Sequence, residues 1–193
     1  GYAQESGKVG VAFATSGPGA TNLITGIANA YFDSTPTLFL TGQVDTYALK
    51  GELPIRQRGF QETDIVSMVK PITKYAKRID NPNDIVCELD KAFSIAKGLN
   101  PGPVLLDLPA DVQRADIDFE ECELYSQSEF RFLDCHQVAM NLNSCIRKAK
   151  RPCILVGNGA KQSKACRCTL VEIIHKMNMP TVSSMPAFDM LEY

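Results

Sequence analysis

Residues 9–42 read VGVAFATSGPGATNLITGIANAYFDSTPTLFLTG, and this stretch decides the fold. An apolar run passes through Ser-Gly-Pro-Gly into a helical pattern, and a second apolar run follows. This order predicts a strand, a loop, a helix and a second strand parallel to the first. Gly17 and Gly19 permit close backbone approach, while Pro18 offers a rigid apolar edge, so the loop has the composition of a ligand-facing backbone.

The same alternation continues along the chain and predicts an α/β fold with parallel sheets and crossover helices. The clearest helix is predicted over residues 82–97. Apolar runs that predict strands occur at 9–15, 37–42, 102–109, 153–159 and 180–184. Most of them are almost continuously apolar, which is typical of strands covered on both faces.

The pattern divides the chain into one incomplete domain and the start of a second. We expect a first domain over 1–113 that is truncated at its start, and a beginning of a second domain over 133–193 that is truncated at its end. Residues 114–132 carry clustered acids and serines and are predicted to form a linker. Truncation at both ends is expected because each part supplies only two or three strands and would leave long unpaired edges.

The composition is that of an ordinary globular protein. The 193 residues carry a formal net charge of -2, with 45% hydrophobic and 22% charged residues. Neither a nucleic-acid partner nor a membrane is expected, and a cytoplasmic location is the default. The seven cysteines are therefore predicted to be thiols. Cys166 and Cys168 would point apart on a helix, so no metal site is predicted.

The loop at residues 15–22 has two interpretations from the residues alone. At the carboxyl end of a strand its backbone N–H groups would face a ligand, and the amide of Asn22 could donate to and accept from a heterocycle. The alternative is a tight turn in which Ser16 or Thr21 caps a helix. The sequence contains neither the standard phosphate-binding motifs nor a nucleophile elbow.

Three blocks, at residues 1–44, 59–76 and 100–113, together resemble acetolactate synthase and its relatives among thiamine-diphosphate enzymes. The resemblance extends more weakly over residues 137–184, as the start of the family's central domain. It implies that the first domain binds the pyrimidine ring of thiamine diphosphate. Pro18 and Asn22 would contact the ring, and Gly17 and Gly19 would support it through the backbone.

The resemblance also assigns residues of the GFQE segment to the substrate. It implies that Phe60 and Gln61 reach the mouth of the active site, where Gln61 would hydrogen-bond near the cofactor or the oxo-acid. The residues alone allow another interpretation, in which Gly59 ends a loop, Gln61 and Glu62 begin a helix, and Phe60 packs as a hydrophobic staple.

Other parts of the family's catalytic machinery are expected outside this chain. The resemblance places the catalytic glutamate upstream of Gly1, and Glu5 is no substitute because it is predicted to lie in an exposed polar turn. Mg²⁺ and the diphosphate would be held by a C-terminal domain, so no catalytic or metal-binding residue is assigned here. A homodimer or homotetramer is implied for the full-length protein.

The implied activity is decarboxylation and carboligation of a 2-oxo acid, such as pyruvate to acetolactate in branched-chain amino acid biosynthesis, with this chain catalytically incomplete. In acetolactate synthases an Arg associated with bound flavin commonly stands at the position of Asn100, and a Lys near the substrate channel at that of Ala110. These departures weigh against bound FAD and against acetohydroxyacid specificity. Gly157 and Gly159 could form a nucleotide-facing turn or a simple strand-to-helix turn. The alternative functions are a non-catalytic homologue and a nucleotide-binding module.

Overall fold

The computed structural model describes residues 1–117, 125, 134–161 and 164–191. Packing divides the chain into two compact units, residues 1–127 and residues 128–193. Each unit contains its own parallel sheet, so the predicted α/β class is confirmed. The predicted linker at 114–132 lies almost entirely outside the described residues.

The sheet of the first unit has four strands, all parallel, in the order β1-β2-β4-β3. Its register places Thr41 beside Asp107 and Asp107 beside Arg78, so three polar side chains share one row near the carboxyl ends of the strands. The strands are β1 (Gly10–Ala14), β2 (Thr37–Gln43), β3 (Tyr75–Arg78) and β4 (Pro103–Pro109).

Helices cover both faces of this sheet, because alternate strand residues point to opposite sides. Leu38 and Leu106 pack on one side with Ala92 and Ala96 of the longest helix. Phe39, Leu105 and their neighbours pack on the other side. The helices are α1 (Tyr2–Ser6), α2 (Pro18–Asn22), α3 (Ile24–Phe32), α4 (Ile65–Val69), α5 (Ile85–Lys97) and α6 (Ala110–Arg114).

The helix predicted over 82–97 is confirmed. A 3-10 turn at Pro82–Asp84 leads into α5, and the side chain of Asn81 accepts a hydrogen bond from the Asn83 amide at its start. Gly98 follows the last residue of α5. The predicted apolar face is buried where Ala92 and Ala96 meet the sheet.

Strand β3 was not predicted from the sequence. Its four residues, Tyr75–Arg78, include two cations and no β-branched residue, and all four side chains are half-buried. It pairs only with β4, at the edge of the sheet. Edge strands tolerate such polar composition because one side of the strand faces solvent, and local patterning does not reveal them.

The second unit has a smaller sheet of two parallel strands, β5 (Ile154–Val156) and β6 (Thr181–Ser183). Its helices are α7 (Cys135–Lys148) and α8 (Lys164–Met177). A small core of Val156, Ala187 and Met190 lies where β5 meets the 3-10 helix Met185–Met190.

Two local expectations were wrong. Glu5 lies on the short helix α1 instead of in a turn, although its side chain is exposed as expected. Cys87 is disulfide-bonded, so the prediction that every cysteine is a thiol fails there. Five other cysteines in the described part of the chain are exposed, namely Cys135, Cys145, Cys153, Cys166 and Cys168. Within the described residues, no helix is long and apolar enough to cross a membrane.

Candidate functional site at the carboxyl edge of the first sheet

The loop after β1 makes a sharp turn at Gly17 and packs tightly on the GFQE segment. Gly17 is buried and has φ 61 and ψ -128, a conformation that residues with a Cβ rarely adopt. A Cβ added at Gly17 would lie 2.7 Å from the Cβ of Gln61 and 3.0 Å from its carbonyl oxygen. Only glycine allows these two segments to approach so closely.

The residues after Gly17 form the short helix α2, which presents Pro18 and Asn22 to solvent. Ala20, in the middle of α2, is buried and belongs to the same core cluster as Ile27 of α3. The N-cap is Gly17, with no side-chain capping bond, and the hydroxyl of Thr21 donates to the Pro18 carbonyl at 3.1 Å. The interpretation that Ser16 or Thr21 caps this helix is therefore wrong.

Gly19 is constrained less severely than Gly17. A Cβ at Gly19 would lie 2.7 Å from the Cγ2 methyl of Thr15, and no other contact under 3.7 Å would form. Thr15 is exposed, so its side chain can move aside. Gly19 therefore only avoids a clash with the side chain of Thr15, whereas Gly17 is required by its backbone conformation.

The GFQE segment forms a loop, not the start of a helix. Gln61 has a positive φ of 58, and Phe60 is 81% exposed. A Cβ at Gly59 would lie 2.8 Å from the Cγ1 of Val44, so this glycine packs against the segment that follows β2. Helix α4 begins at Ile65, with Asp64 capping the Ser67 amide. The interpretation that Gln61 and Glu62 begin a helix with Phe60 as a staple is wrong.

A buried carboxylate, Asp107, lies close to this loop and was not identified from the sequence. Its Oδ1 accepts from the Thr41 hydroxyl at 2.6 Å, and its Oδ2 accepts from Gln43 Nε2 at 3.1 Å. Burial raises the pKa of Asp107 to about 6, against the opposing effects of both hydrogen bonds and the charge of Arg78. A single acid within the apolar run VLLDLP is the signal that could have indicated it.

Glu62 organises the segment that precedes the GFQE loop. Its carboxylate accepts from the backbone amides of Lys50 at 2.8 Å and Arg58 at 2.9 Å. Burial alone would raise the pKa of Glu62, but the backbone amides of Arg58, Lys50 and Gly59 outweigh it and hold that pKa below its usual value. Beside this loop is a cavity of about 270 Å³ whose lining includes Gln43, Thr63 and Arg78.

Comparison with known proteins gives a matching protein family and several similar relatives. Residues 1–68 match the family described as "Thiamine pyrophosphate enzyme, N-terminal TPP binding domain". Acetolactate synthase from Arthrospira platensis is 38% identical over 190 residues, which cover 96% of this chain and 31% of the relative. The acetolactate synthase large subunit from Corynebacterium glutamicum is 42% identical over 168 residues, which cover 86% of this chain and 26% of the relative.

The chain thus begins with a thiamine-pyrophosphate enzyme N-terminal domain and is similar to acetolactate synthases over most of its length. A further relative, the isozyme 2 large subunit of Escherichia coli, is 34% identical over 192 residues, or 33% of its length. The chain thus spans about a third or less of each of these curated relatives. The family model covers the loop after β1 and the GFQE segment, which are the two segments that the structure brings together.

The exposed residues of the loop after β1 fit a flat heterocyclic ligand. The backbone of Gly17 packs against Gln61, and α2 forms the outer surface of the loop. Pro18 and Asn22 are exposed on that surface and offer a rigid apolar ring and a polar amide. Among the residues that the structure describes, no group of three or more His, Cys, Asp or Glu could hold a metal ion.

The two glycines of the second unit lie in a different setting from those of the loop after β1. Gly157 directly follows β5, and Gly159 lies in the 3-10 helix Asn158–Lys161. A Cβ added at either glycine would meet nothing within 4 Å. Both positions have the open surroundings of a simple strand-to-helix turn, and their role toward a nucleotide stays a prediction.

Proposed function

We propose that the whole protein is a thiamine-diphosphate-dependent enzyme that decarboxylates a 2-oxo acid and joins the remaining carbon unit to a second carbonyl compound. Pyruvate is the proposed substrate and acetolactate the proposed type of product. The observation that supports the proposal is the close approach of Gly17 to Gln61, since we propose that Gly17 supports the pyrimidine ring and that Gln61 contacts the substrate. The relatives named as acetolactate synthases support the type of reaction.

Four side chains of the candidate site have a proposed role. Thiamine diphosphate supplies a carbon centre that can hold the electron pair released when CO₂ leaves. Pro18 would lie against the face of the pyrimidine ring, and Asn22 would hydrogen-bond its polar edge. Gln61 would orient the oxo-acid, while the exposed ring of Phe60 would shield the bound substrate from water.

The remaining components are proposed to lie outside these 193 residues. They are the glutamate that activates the cofactor and the groups that bind Mg²⁺ and the diphosphate. We further propose a homodimer or homotetramer, a cytoplasmic location and a role in branched-chain amino acid biosynthesis. FAD is not part of the proposal, because Asn100 replaces the Arg that the resemblance associates with bound flavin.

The first experiment measures binding of thiamine diphosphate with Mg²⁺ to the whole protein by calorimetry, followed by CO₂ release from pyruvate. Binding with turnover is the expected result. Absence of binding would refute the proposal, and binding without CO₂ release from any 2-oxo acid would favour a non-catalytic homologue. Binding of a dinucleotide through the second unit, without thiamine diphosphate, would favour a nucleotide-binding module.

A matched pair of variants tests the assigned role of Gln61. Gln61→Ala should lower kcat/KM for pyruvate by about tenfold or more, because a polar contact to the substrate is lost. Gln4→Ala is the control, since Gln4 is an exposed glutamine on α1, and it should leave kcat/KM unchanged. Equal kinetics for both variants would remove Gln61 from the substrate site.

A further inference from the structure

A chain of hydrogen bonds, buried at the sheet and partly buried at the loop, connects strand β4 to the GFQE loop. Gln43 Nε2 donates to Asp107 Oδ2 at 3.1 Å and to the Thr63 carbonyl at 2.7 Å. On its other side Asp107 accepts from the Thr41 hydroxyl at 2.6 Å. One side-chain amide, that of Gln43, thus joins the sheet to a loop residue twenty positions further along the chain.

The bonds between Asp107, Thr41 and Gln43 are shielded from water, while the bond from Gln43 to Thr63 is partly buried. Asp107 is 2% exposed, Gln43 is 6% exposed and Thr41 is 1% exposed. A hydrogen bond to an ionised carboxylate in such surroundings is stronger than one between neutral groups, and a buried partner left unpaired is costly. The connection between sheet and loop is therefore expected to persist through thermal fluctuations at the surface.

The orientation of the Gln43 amide is determined by its surroundings. Its Oε1 accepts from the Val44 amide at 3.0 Å, while Nε2 faces two acceptors, the Asp107 carboxylate and the Thr63 carbonyl. A flipped amide would place its oxygen against both acceptors and its nitrogen against a donor. An ionised Asp107 therefore selects the orientation in which Gln43 can hold Thr63.

Thr63 is in turn connected to the site loop. Its carbonyl also accepts from the Ile65 amide at 2.9 Å, and its hydroxyl donates to the Gln61 carbonyl at 3.3 Å. That same Gln61 carbonyl lies within 3.0 Å of the position that a Cβ on Gly17 would occupy. The hydrogen bonds therefore lead from Asp107 to the contact between Gln61 and Gly17.

We propose that Asp107 is a positioning residue that acts through Gln43 to hold residues 60–63 against Gly17 and so sets the place of Gln61. The inference rests on the proposed function only for the use of Gln61 toward the oxo-acid. The anchoring of the loop can be tested without any catalytic assay.

Hydrogen exchange of the whole protein tests the anchoring. The probes are the amides of Glu62 and Ile65, which are hydrogen-bonded within the loop. Gln43→Met removes both bonds of the chain at similar side-chain size, and Asp107→Asn removes the charge. Each should accelerate exchange at the two probes by about tenfold. The double variant should exceed the larger single effect only slightly, because both changes break one chain.

Glu88→Gln is the matched control. Glu88 is another buried carboxylate, on α5, and it accepts hydrogen bonds from Tyr75 at 2.6 Å and from Lys77 at 2.7 Å. Neither of these hydrogen bonds involves a residue of the GFQE loop. The control should lower global stability while leaving exchange at Glu62 and Ile65 unchanged relative to the rest of the protein.

The outcomes decide the proposal separately from the proposed function. Unchanged exchange at Glu62 and Ile65 in a folded Gln43→Met protein overturns it, as does equal acceleration in Glu88→Gln. If Gln43→Met fails to fold, the exchange rates of Glu62 and Ile65 in Asp107→Asn are compared with those in Glu88→Gln instead. In an active enzyme, Asp107→Asn should lower kcat/KM for pyruvate by about tenfold and leave thiamine-diphosphate affinity unchanged. Failure to bind the cofactor would refute the function and leave the exchange result standing.

Discussion

Gly17 and Gly157 both follow a parallel strand, β1 and β5 respectively, yet their surroundings differ. Gly17 is buried at a positive φ and meets Gln61, whereas a Cβ on Gly157 would meet nothing within 4 Å. The two turns look alike in the sequence because both place two glycines one residue apart after an apolar run. The difference shows that a glycine is required where the backbone has a positive φ and a distant segment occupies the space of a side chain, and not merely where a strand ends.

The largest expected effect comes from filling the space at Gly17. Gly17→Ala should destabilise the first unit by about 3 kcal/mol, because it adds backbone strain to a clash with Gln61. Gly157→Ala should change stability by less than about 0.5 kcal/mol. Denaturant unfolding of both variants measures the change in the free energy of unfolding. Similar losses of stability in the two variants would contradict the predicted difference between the two turns.

The second prediction concerns how the stability of the first unit depends on pH through Asp107. Burial raises the pKa of Asp107 from 3.8 to about 6, so the unfolded chain releases this proton at lower pH than the folded one. Asp107 therefore makes folding less favourable as pH rises from about 4 to about 6, by roughly 3 kcal/mol in all. Asp107→Asn should remove this contribution, as measured by unfolding free energies at several pH values.

Asp189 in the second unit should show the opposite dependence. The hydrogen bond from Lys161, which ends the turn that begins at Gly157, lowers the pKa of Asp189. Its contribution is present above the usual carboxyl pKa and is lost as pH falls through the lowered value. If Asp189→Asn and Asp107→Asn changed the pH dependence in the same direction, the electrostatic contrast between the two regions would be wrong.

A smaller effect is expected at Gly59. Gly59→Ala should cost about 1–2 kcal/mol, because the new methyl group would lie within 2.9 Å of three Val44 side-chain atoms. The matched variant is Gly159→Ala, which enters open space and should be close to neutral. Combining Gly59→Ala with Val44→Ala should restore part of the lost stability, and the absence of any recovery would argue against the steric cause.

The smallest expected effect is on affinity alone. Asn22→Ala should weaken thiamine-diphosphate binding by about tenfold, as one hydrogen bond is lost, and leave stability nearly unchanged because the residue is exposed. Asn29→Ala, an exposed asparagine on α3, is the control. Calorimetry on both variants sharpens the comparison, and equal affinities would show that the tight turn at Gly17 serves packing without binding the ring.

Local patterns predicted much of the fold and part of the site. The strands around residues 9–42 and the helix that ends before Gly98 follow from periodicity, glycine and proline, which act within a few residues. Strand β3 could not be predicted because its pairing with β4 joins residues about thirty positions apart. The positive φ of Gln61 was missed for the same reason, since the contact with Gly17 joins segments more than forty residues apart.

The sequence by itself determined the parallel α/β pattern, the loop composition at Gly17–Asn22 and the family resemblance, because short-range periodicity and residue type carry that information. Only the tertiary structure decided that Gly17 meets Gln61, that Asp107 connects through Gln43 to Thr63, and that Gly157 has open surroundings. These facts depend on how the strands pair and which loops share one sheet edge. Hydrogen bonding and close packing between distant segments are properties of the folded chain.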